Sequence, residues 1–151
     1  MSTDQHHPIT LDSLVFTKCL VEAVPDHEPA KPSVLIHPVN NITVSKVPGE
    51  VGGWVATISS IFNVDKEKTA PYHFDMQCMG IFHADDSLTE VEALRGVTIT
   101  ANNVLYGAIR ESVAWLTGRQ PYGPLILGLS VLRSNKSASK EIERSDTLSQ
   151  P

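Results

Sequence analysis

Two stretches of the chain alternate apolar and polar residues with a period of two. In Trp54 to Val64 the even positions are Trp54, Ala56, Ile58, Phe62 and Val64, broken only by Ser60. In Tyr72 to His83 they are Tyr72, Phe74, Met76, Cys78 and Phe82, while the odd positions mix Met79 and Ile81 with His73, Asp75 and Gln77. Successive side chains of a strand point to opposite faces, so each stretch reads as a strand with one packed face. Asp65-Lys66-Glu67-Lys68 joins the two as a hairpin loop. The mixed odd face of the second strand implies that it is not wholly solvated in the working assembly.

Weaker patterns flank these. Leu11 to Ala23 is strand-like, with Val15, Cys19, Val21 and Ala23 expected on one face and Lys18 and Glu22 on the other. Pro25, Pro29 and Pro32 then mark a loop. Val34 to Val47 reads as extended, with Ile36, Ile42 and Val44 on one side and a bend or bulge expected at Pro38 and Asn40-Asn41. Pro48-Gly49 turns the chain. Beyond the acidic stretch of Asp85, Asp86, Glu90 and Glu92, helical spacing links Val104, Leu105, Ala108, Ile109, Val113, Trp115 and Leu116. Asn102 or Asn103 is the expected cap, Gly118 closes the helix and Pro121 follows. Gly107 and Ala114 form a small-residue face where a second helix can approach.

Composition narrows the function classes. A chain of 151 residues with 41% apolar content fits one domain with its own core. Twelve Lys and Arg against 17 Asp and Glu leave a net charge of −5, and no basic run supplies the face that nucleic acid requires. The longest nearly apolar run, Leu125 to Leu132, is far short of the roughly 20 residues of a membrane span. The polar start, Met1 to His7, does not read as a signal peptide, and Cys19 and Cys78 read as free thiols, so a cytoplasmic protein is expected. Residues 1–10 read as a loose tail, 11–132 as the folded domain, and the Ser-rich, charged residues 133–151 as disordered.

Candidate chemistry is sparse. His73-Phe74-Asp75 has the form of an iron facial triad, but His83 lies ten residues further along the same predicted strand, roughly 34 Å away at about 3.4 Å per residue. Gly128-Leu129-Ser130 begins like a nucleophile elbow, yet position 132 is Leu where that motif needs Gly. No glycine pattern suited to phosphates occurs. A non-enzymatic protein without metal or cofactor is therefore expected.

Several segments, in order, resemble the SecB family of protein-export chaperones over roughly residues 11–132. Met79-Gly80-Ile81-Phe82 is similar to the end of that family's third-strand region. Asn103-Val104-Leu105-Tyr106 with Arg110-Glu111 is similar to its helix start, and Thr117 through Leu125 to its crossover. Phe16-Thr17-Lys18 and the residues up to Pro25 resemble its first strand. The resemblance implies an α+β fold, a four-stranded antiparallel sheet with helices on one face, assembled as a homotetramer (a dimer is the fallback). It further implies a nucleotide-independent holdase that binds unfolded precursor polypeptides and delivers them to the translocase motor SecA.

A chaperone of that kind needs adaptable apolar surface, and Met76, Met79, Phe82, Trp115, Tyr122 and Leu125 are the expected polypeptide-binding residues. Asp75 falls where one acid of the family's motor-docking patch lies. The first-strand acids of that patch correspond here to Cys19 and Ala23, which implies weak docking or none. The family's second C-terminal helix should follow Leu132, where Arg133 to Ser137 offers no apolar stripe. The alternative is a SecB-like protein dedicated to one partner, such as an antitoxin, phage or accessory protein. A small enzyme is the minor reading.

Overall fold

A computed structural model describes residues 6–29 and 36–130. The expectations for the C-terminal tail and for a second helix lie outside the described residues.

The chain forms β1 (Ile9–Ala23), β2 (Val39–Lys46), β3 (Gly53–Phe62), β4 (Tyr72–Ala84) and α1 (Glu90–Thr117). The strands build one antiparallel sheet in the order β1-β4-β3-β2, and α1 packs across one face of it. The α+β fold with a four-stranded antiparallel sheet is thus as the sequence implies.

The period-two pattern explains the sheet. Tyr72, Phe74, Met76, Cys78 and Phe82 of β4 are all essentially inaccessible, and their register partners on β3, Trp54 to Phe62 at even positions, lie on the same face. Ser60 shares that buried face opposite Met76. At the β3–β4 turn the Asn63 side chain closes the loop, its Oδ1 accepting from the Glu67 N–H at 2.8 Å. Asn63 and Lys66 there adopt positive φ, 54° and 51°.

Two strands differ from expectation. In β1 a register shift between Phe16 and Lys18 changes which side chains share a face. Val15 therefore lies opposite Met79 on the open face together with Lys18 and Glu22, whereas Cys19, Val21 and Ala23 point to the helix side. In β2 the Asn40-Asn41 pair causes no bulge, and the pairing with β3 is regular from Val39 to Lys46. Pro38 instead stands just before the strand.

The helix begins well before the expected cap. Thr89, not Asn102 or Asn103, is the N-cap, with a reciprocal capping box to Glu92 (Thr89 N–H to Glu92 Oε2, 2.8 Å). Glu90 and Glu92 add favourable charge in the first turn. Val97 to Thr100 is rich in β-branched residues and Gly96 precedes it, a weak helical signal that packing overrides. At Gly96 an added Cβ would sit 3.4 Å from the Ile9 side chain, so β1 lies against the helix there. Asn102 is buried inside the helix rather than capping it.

The core-facing residues are Ala93, Val97, Ala101, Leu105, Ile109 and Val113. A strict four-residue spacing drifts by about 40° per step around a helix of 3.6 residues per turn, so the stripe winds. A helix with such a stripe crosses the sheet obliquely, and α1 accordingly touches all four strands.

Cys78 lies in this core, where burial pushes its thiol up from 9.0 to about 11, whereas Cys19 is exposed. A Cys19→Ser variant is expected to show no fast-reacting thiol at pH 8 and one after denaturation. Because the folded pKa is raised, the Cys78 contribution to stability is constant below pH 9.0. It declines toward about 11 as the unfolded chain releases its proton first. A fast native thiol in that variant would show that α1 does not seal the sheet.

Candidate binding groove

After α1 the chain crosses back over the sheet through a turn held by two tyrosines. Gly118 ends the helix, and Gly123 takes a φ of 78° that a side-chain-bearing residue rarely adopts. The buried Tyr72 hydroxyl donates to the Gly123 carbonyl at 2.7 Å and accepts from the Tyr122 N–H at 3.1 Å. Burial raises the Tyr72 pKa above its ordinary value. The Tyr122 hydroxyl donates to the Val24 carbonyl at 2.8 Å, and the His27 ring meets the Tyr122 ring edge-on at 5.0 Å. Tyr122 is therefore a latch between the crossover and the end of β1.

Beyond the latch, residues 124–130 run extended. The Leu125 N–H donates to Thr117 Oγ1 at 2.8 Å, and Arg110 Nε donates to the Leu127 carbonyl at 2.9 Å. Leu125 and Leu127 are buried anchors, whereas Ile126 and Leu129 stand out 70% and 83% exposed. The segment is anchored at Leu125 and Leu127 and presents Ile126 between them and Leu129 beyond.

This strip forms one wall of an open groove of about 570 Å³. Ile36, His37 and Pro38 enter it from the approach to β2, Asn40 from β2 itself, and Tyr106 from α1. Asn40 Nδ2 donates to Ser130 Oγ at 3.4 Å, and burial pushes the Tyr106 hydroxyl above its ordinary value. The described lining is thus mainly apolar, with the amide of Asn40, the hydroxyls of Tyr106 and Ser130 and the ring of His37 among it. Among the described residues that line it there is no Asp, Glu, Lys or Arg.

The expected binding residues fall into three places. Met76 and Phe82 are 0% exposed beneath α1 and Leu125 is buried, so these three offer no side-chain surface; their role is corrected to packing. Met79 lies half-buried on the opposite, open face of the sheet. Trp115, 64% exposed, lines a separate cleft of about 360 Å³ with Cys19 and Leu116, and Tyr122 serves the latch. The six do not form one surface. Ile126, Leu129, Tyr106 and Asn40 of the groove went unrecognised in the sequence. Of the Leu-rich run only Leu125 was expected to bind, and the run itself does not mark which of its residues the fold buries.

The remaining candidates take structural parts. His73 Nδ1 donates to the Phe62 carbonyl at 2.9 Å, and Asp75 is paired with Lys18 across the open face. Ser130 is bonded to Asn40. Gly107 and Ala114, expected to meet another helix, line a cleft with Ile126 and Leu127 of the same chain.

No family model matches the chain, and no curated protein matches it. Among solved structures, the chain is similar to a SecB-like chaperone of Mycobacterium tuberculosis in complex with a peptide from an antitoxin. The TM-score is 0.59 and the identity 21%, over 82% of this chain and 88% of that one. The fold is SecB-like. A protein of unknown function from Streptococcus agalactiae is also similar, with a TM-score of 0.51 and 9% identity over 80% of this chain and 96% of that one.

Proposed function

We propose that this protein is a nucleotide-independent chaperone that binds extended, apolar segments of other polypeptides in the groove beside β2. The observation that carries the reading is the anchored strip from Pro124 to Ser130, which holds Ile126 and Leu129 out in water beside a groove whose described lining has no Asp, Glu, Lys or Arg. Exposed apolar side chains fixed by their neighbours are costly to keep unless a partner covers them. The solved SecB-like chaperone with an antitoxin peptide supports a polypeptide as that partner.

A groove of about 570 Å³ has the size of a small-molecule site, roughly 300–1,000 Å³, and takes only a few side chains at once. Firm holding of a long client then needs several grooves acting together. The edge of β1 supports such assembly: Leu11, Val15, Phe16 and Leu20 are all well exposed along it. A homotetramer, or failing that a dimer, is expected. A light-scattering mass that stays at the 16.5 kDa of one chain at micromolar concentration would refute it. Holding itself is tested by suppression of aggregation of a chemically denatured test protein without nucleotide. No suppression at several-fold excess over client would defeat the proposed function.

The dedicated-partner reading is favoured by the antitoxin peptide of the solved relative in fold and by the Asn40–Ser130 pair in the groove lining, whose polar groups can orient one sequence over others. A panel of unrelated denatured clients separates the two, because a dedicated protein holds one and not the rest. Delivery to SecA receives less support. Asp75, the one acid of the docking patch, is already neutralised by Lys18, and Glu22 by Lys66 at 2.9 Å. Binding of SecA is expected to be weak, and Asp75→Ala to change it little at physiological salt.

A further inference from the structure

We propose that Ser60 and Asn40 together hold one buried water under α1, and that this water fixes the Asn40 side chain in place. Ser60 is the one polar residue among the even positions of β3, and it is 0% exposed. Among the described residues only two buried side-chain atoms lack a hydrogen-bond partner, Ser60 Oγ and Asn40 Oδ1. These two residues are register partners across β2 and β3. Residues directly opposite in an antiparallel pair share a face, so both side chains lie on the helix side of the sheet. A buried oxygen without a partner costs free energy, because the water it gave up is not replaced. Two such oxygens in one register pair point to a single ligand that serves both.

Water fits that place by size and by chemistry. Opposed Cβ atoms lie about 4.5–5.5 Å apart, so one water about 2.8 Å from each oxygen reaches both. The amide oxygen only accepts, whereas the hydroxyl donates and accepts. One water therefore donates to Asn40 Oδ1 and makes its second bond with Ser60 Oγ, the minimum that a buried water needs. A calcium ion would need about six to eight oxygens. Ile58 and Met76 beside Ser60 are 0% exposed and offer no donor. The other end of the same amide has its own ties. Asn40 Nδ2 donates to Ser130 Oγ at 3.4 Å. Burial raises the Tyr106 pKa, and a hydrogen bond with the Asn40 side chain offsets part of that rise. The water thus anchors an amide that links β2 to α1 and to the strip after it, and Ser60 is a positioning residue for that amide. It is expected there whatever the groove binds.

The test uses the full chain and three readouts. A crystal structure that shows ordered water is expected to place one within hydrogen-bond distance of both Ser60 Oγ and Asn40 Oδ1. No water there, or Asn40 Oδ1 bonded to another group of the chain, would overturn the proposal. The second readout is urea unfolding of Ser60→Ala. Removing a hydroxyl that holds a water should lower the midpoint by about 0.3–1 M, whereas removing a dry, unpartnered hydroxyl should raise it. In the Asn40→Ala background the same change should leave the midpoint unchanged or raise it. A higher midpoint in Ser60→Ala alone, or the same fall in both backgrounds, would overturn the proposal. The third readout separates positioning from packing. In Ser60→Ala the side-chain amide resonances of Asn40 should move and exchange with solvent about tenfold faster. Ser60→Thr keeps the hydroxyl and should keep the parent resonances, even if its added methyl lowers the midpoint. Asn40 resonances that are unchanged in Ser60→Ala, or equally disturbed in both variants, would show that the water does not fix this side chain.

Discussion

Truncating Phe82 to alanine is expected to cost about 3–5 kcal/mol of folding stability, a large share of the roughly 5–15 kcal/mol that holds a domain together. Phe82 is fully buried, between Leu11 of β1 and Trp54 of β3 in register. Its ring also occupies the place above Gly80: a Cβ built at Gly80 would sit 2.7 Å from Phe82 Cε2 and 3.0 Å from Leu105 Cδ2. Gly80-Ile81-Phe82 is therefore a packing unit, in which the absent side chain of one residue makes the slot for the other. Gly80→Ala alone should overpack the site and cost about 1–3 kcal/mol. In the Phe82→Ala background the ring is gone, so the same change should cost less, with a coupling of about 0.5–3 kcal/mol. Urea unfolding of the four proteins of this cycle measures it. Strict additivity would show that the ring does not fill that slot. An unchanged midpoint in Phe82→Ala with loss of client holding would return Phe82 to the binding surface.

The same unit shows what the sequence makes legible. The alternation of β3 and β4 is readable because one face of each is dry and the other is not, and no neighbour has to be known to see it. The face assignment of β1 was readable from Lys18 to Ala23 but not at Val15, since the bulge between Phe16 and Lys18 changes the parity between the two halves of the strand and leaves no mark in the pattern. The start of α1 was legible in principle: Thr89 and Glu92 stand at capping-box spacing. The asparagines at 102 and 103 competed as caps, and Val97-Thr98-Ile99-Thr100 has the composition of a strand. Packing of Val97 and Ala101 on the sheet decides in favour of the helix, and that is a tertiary effect.

The binding surface was the least legible part. Adaptable or aromatic character selected Met76 and Phe82, yet the same character suits a core, and the even positions of β4 are all core. Exposure of Ile126 and Leu129 depends on which residues of 124–130 are tied down by Thr117 and Arg110, two side chains of α1. Those ties join residues eight and 17 apart in sequence, across a crossover whose path follows from the Tyr72–Tyr122 latch.

The second large effect is expected from the double substitution Ile126→Ser with Leu129→Ser. Each side chain is mostly exposed, so removing it should alter stability by no more than about 0.5 kcal/mol. A client that covers both loses the transfer of two large apolar groups, about 1.5–3 kcal/mol each, or about a hundredfold or more in affinity. The anchors are the contrast: Leu127→Ala should cost about 2–5 kcal/mol of stability, because Leu127 is buried where Ile126 is not. Tyr122→Phe removes one hydroxyl that donates to Val24 and should cost about 1 kcal/mol of stability while leaving client affinity nearly intact. Trp115→Ser separates the groove from the cleft beside Cys19. Retention of clients by the Ile126/Leu129 variant together with their loss in Trp115→Ser would move the binding site to that cleft. If the double variant releases clients and unfolds at the parent's urea midpoint, the exposed strip is the holding surface and the anchors beneath it are what keep it in place.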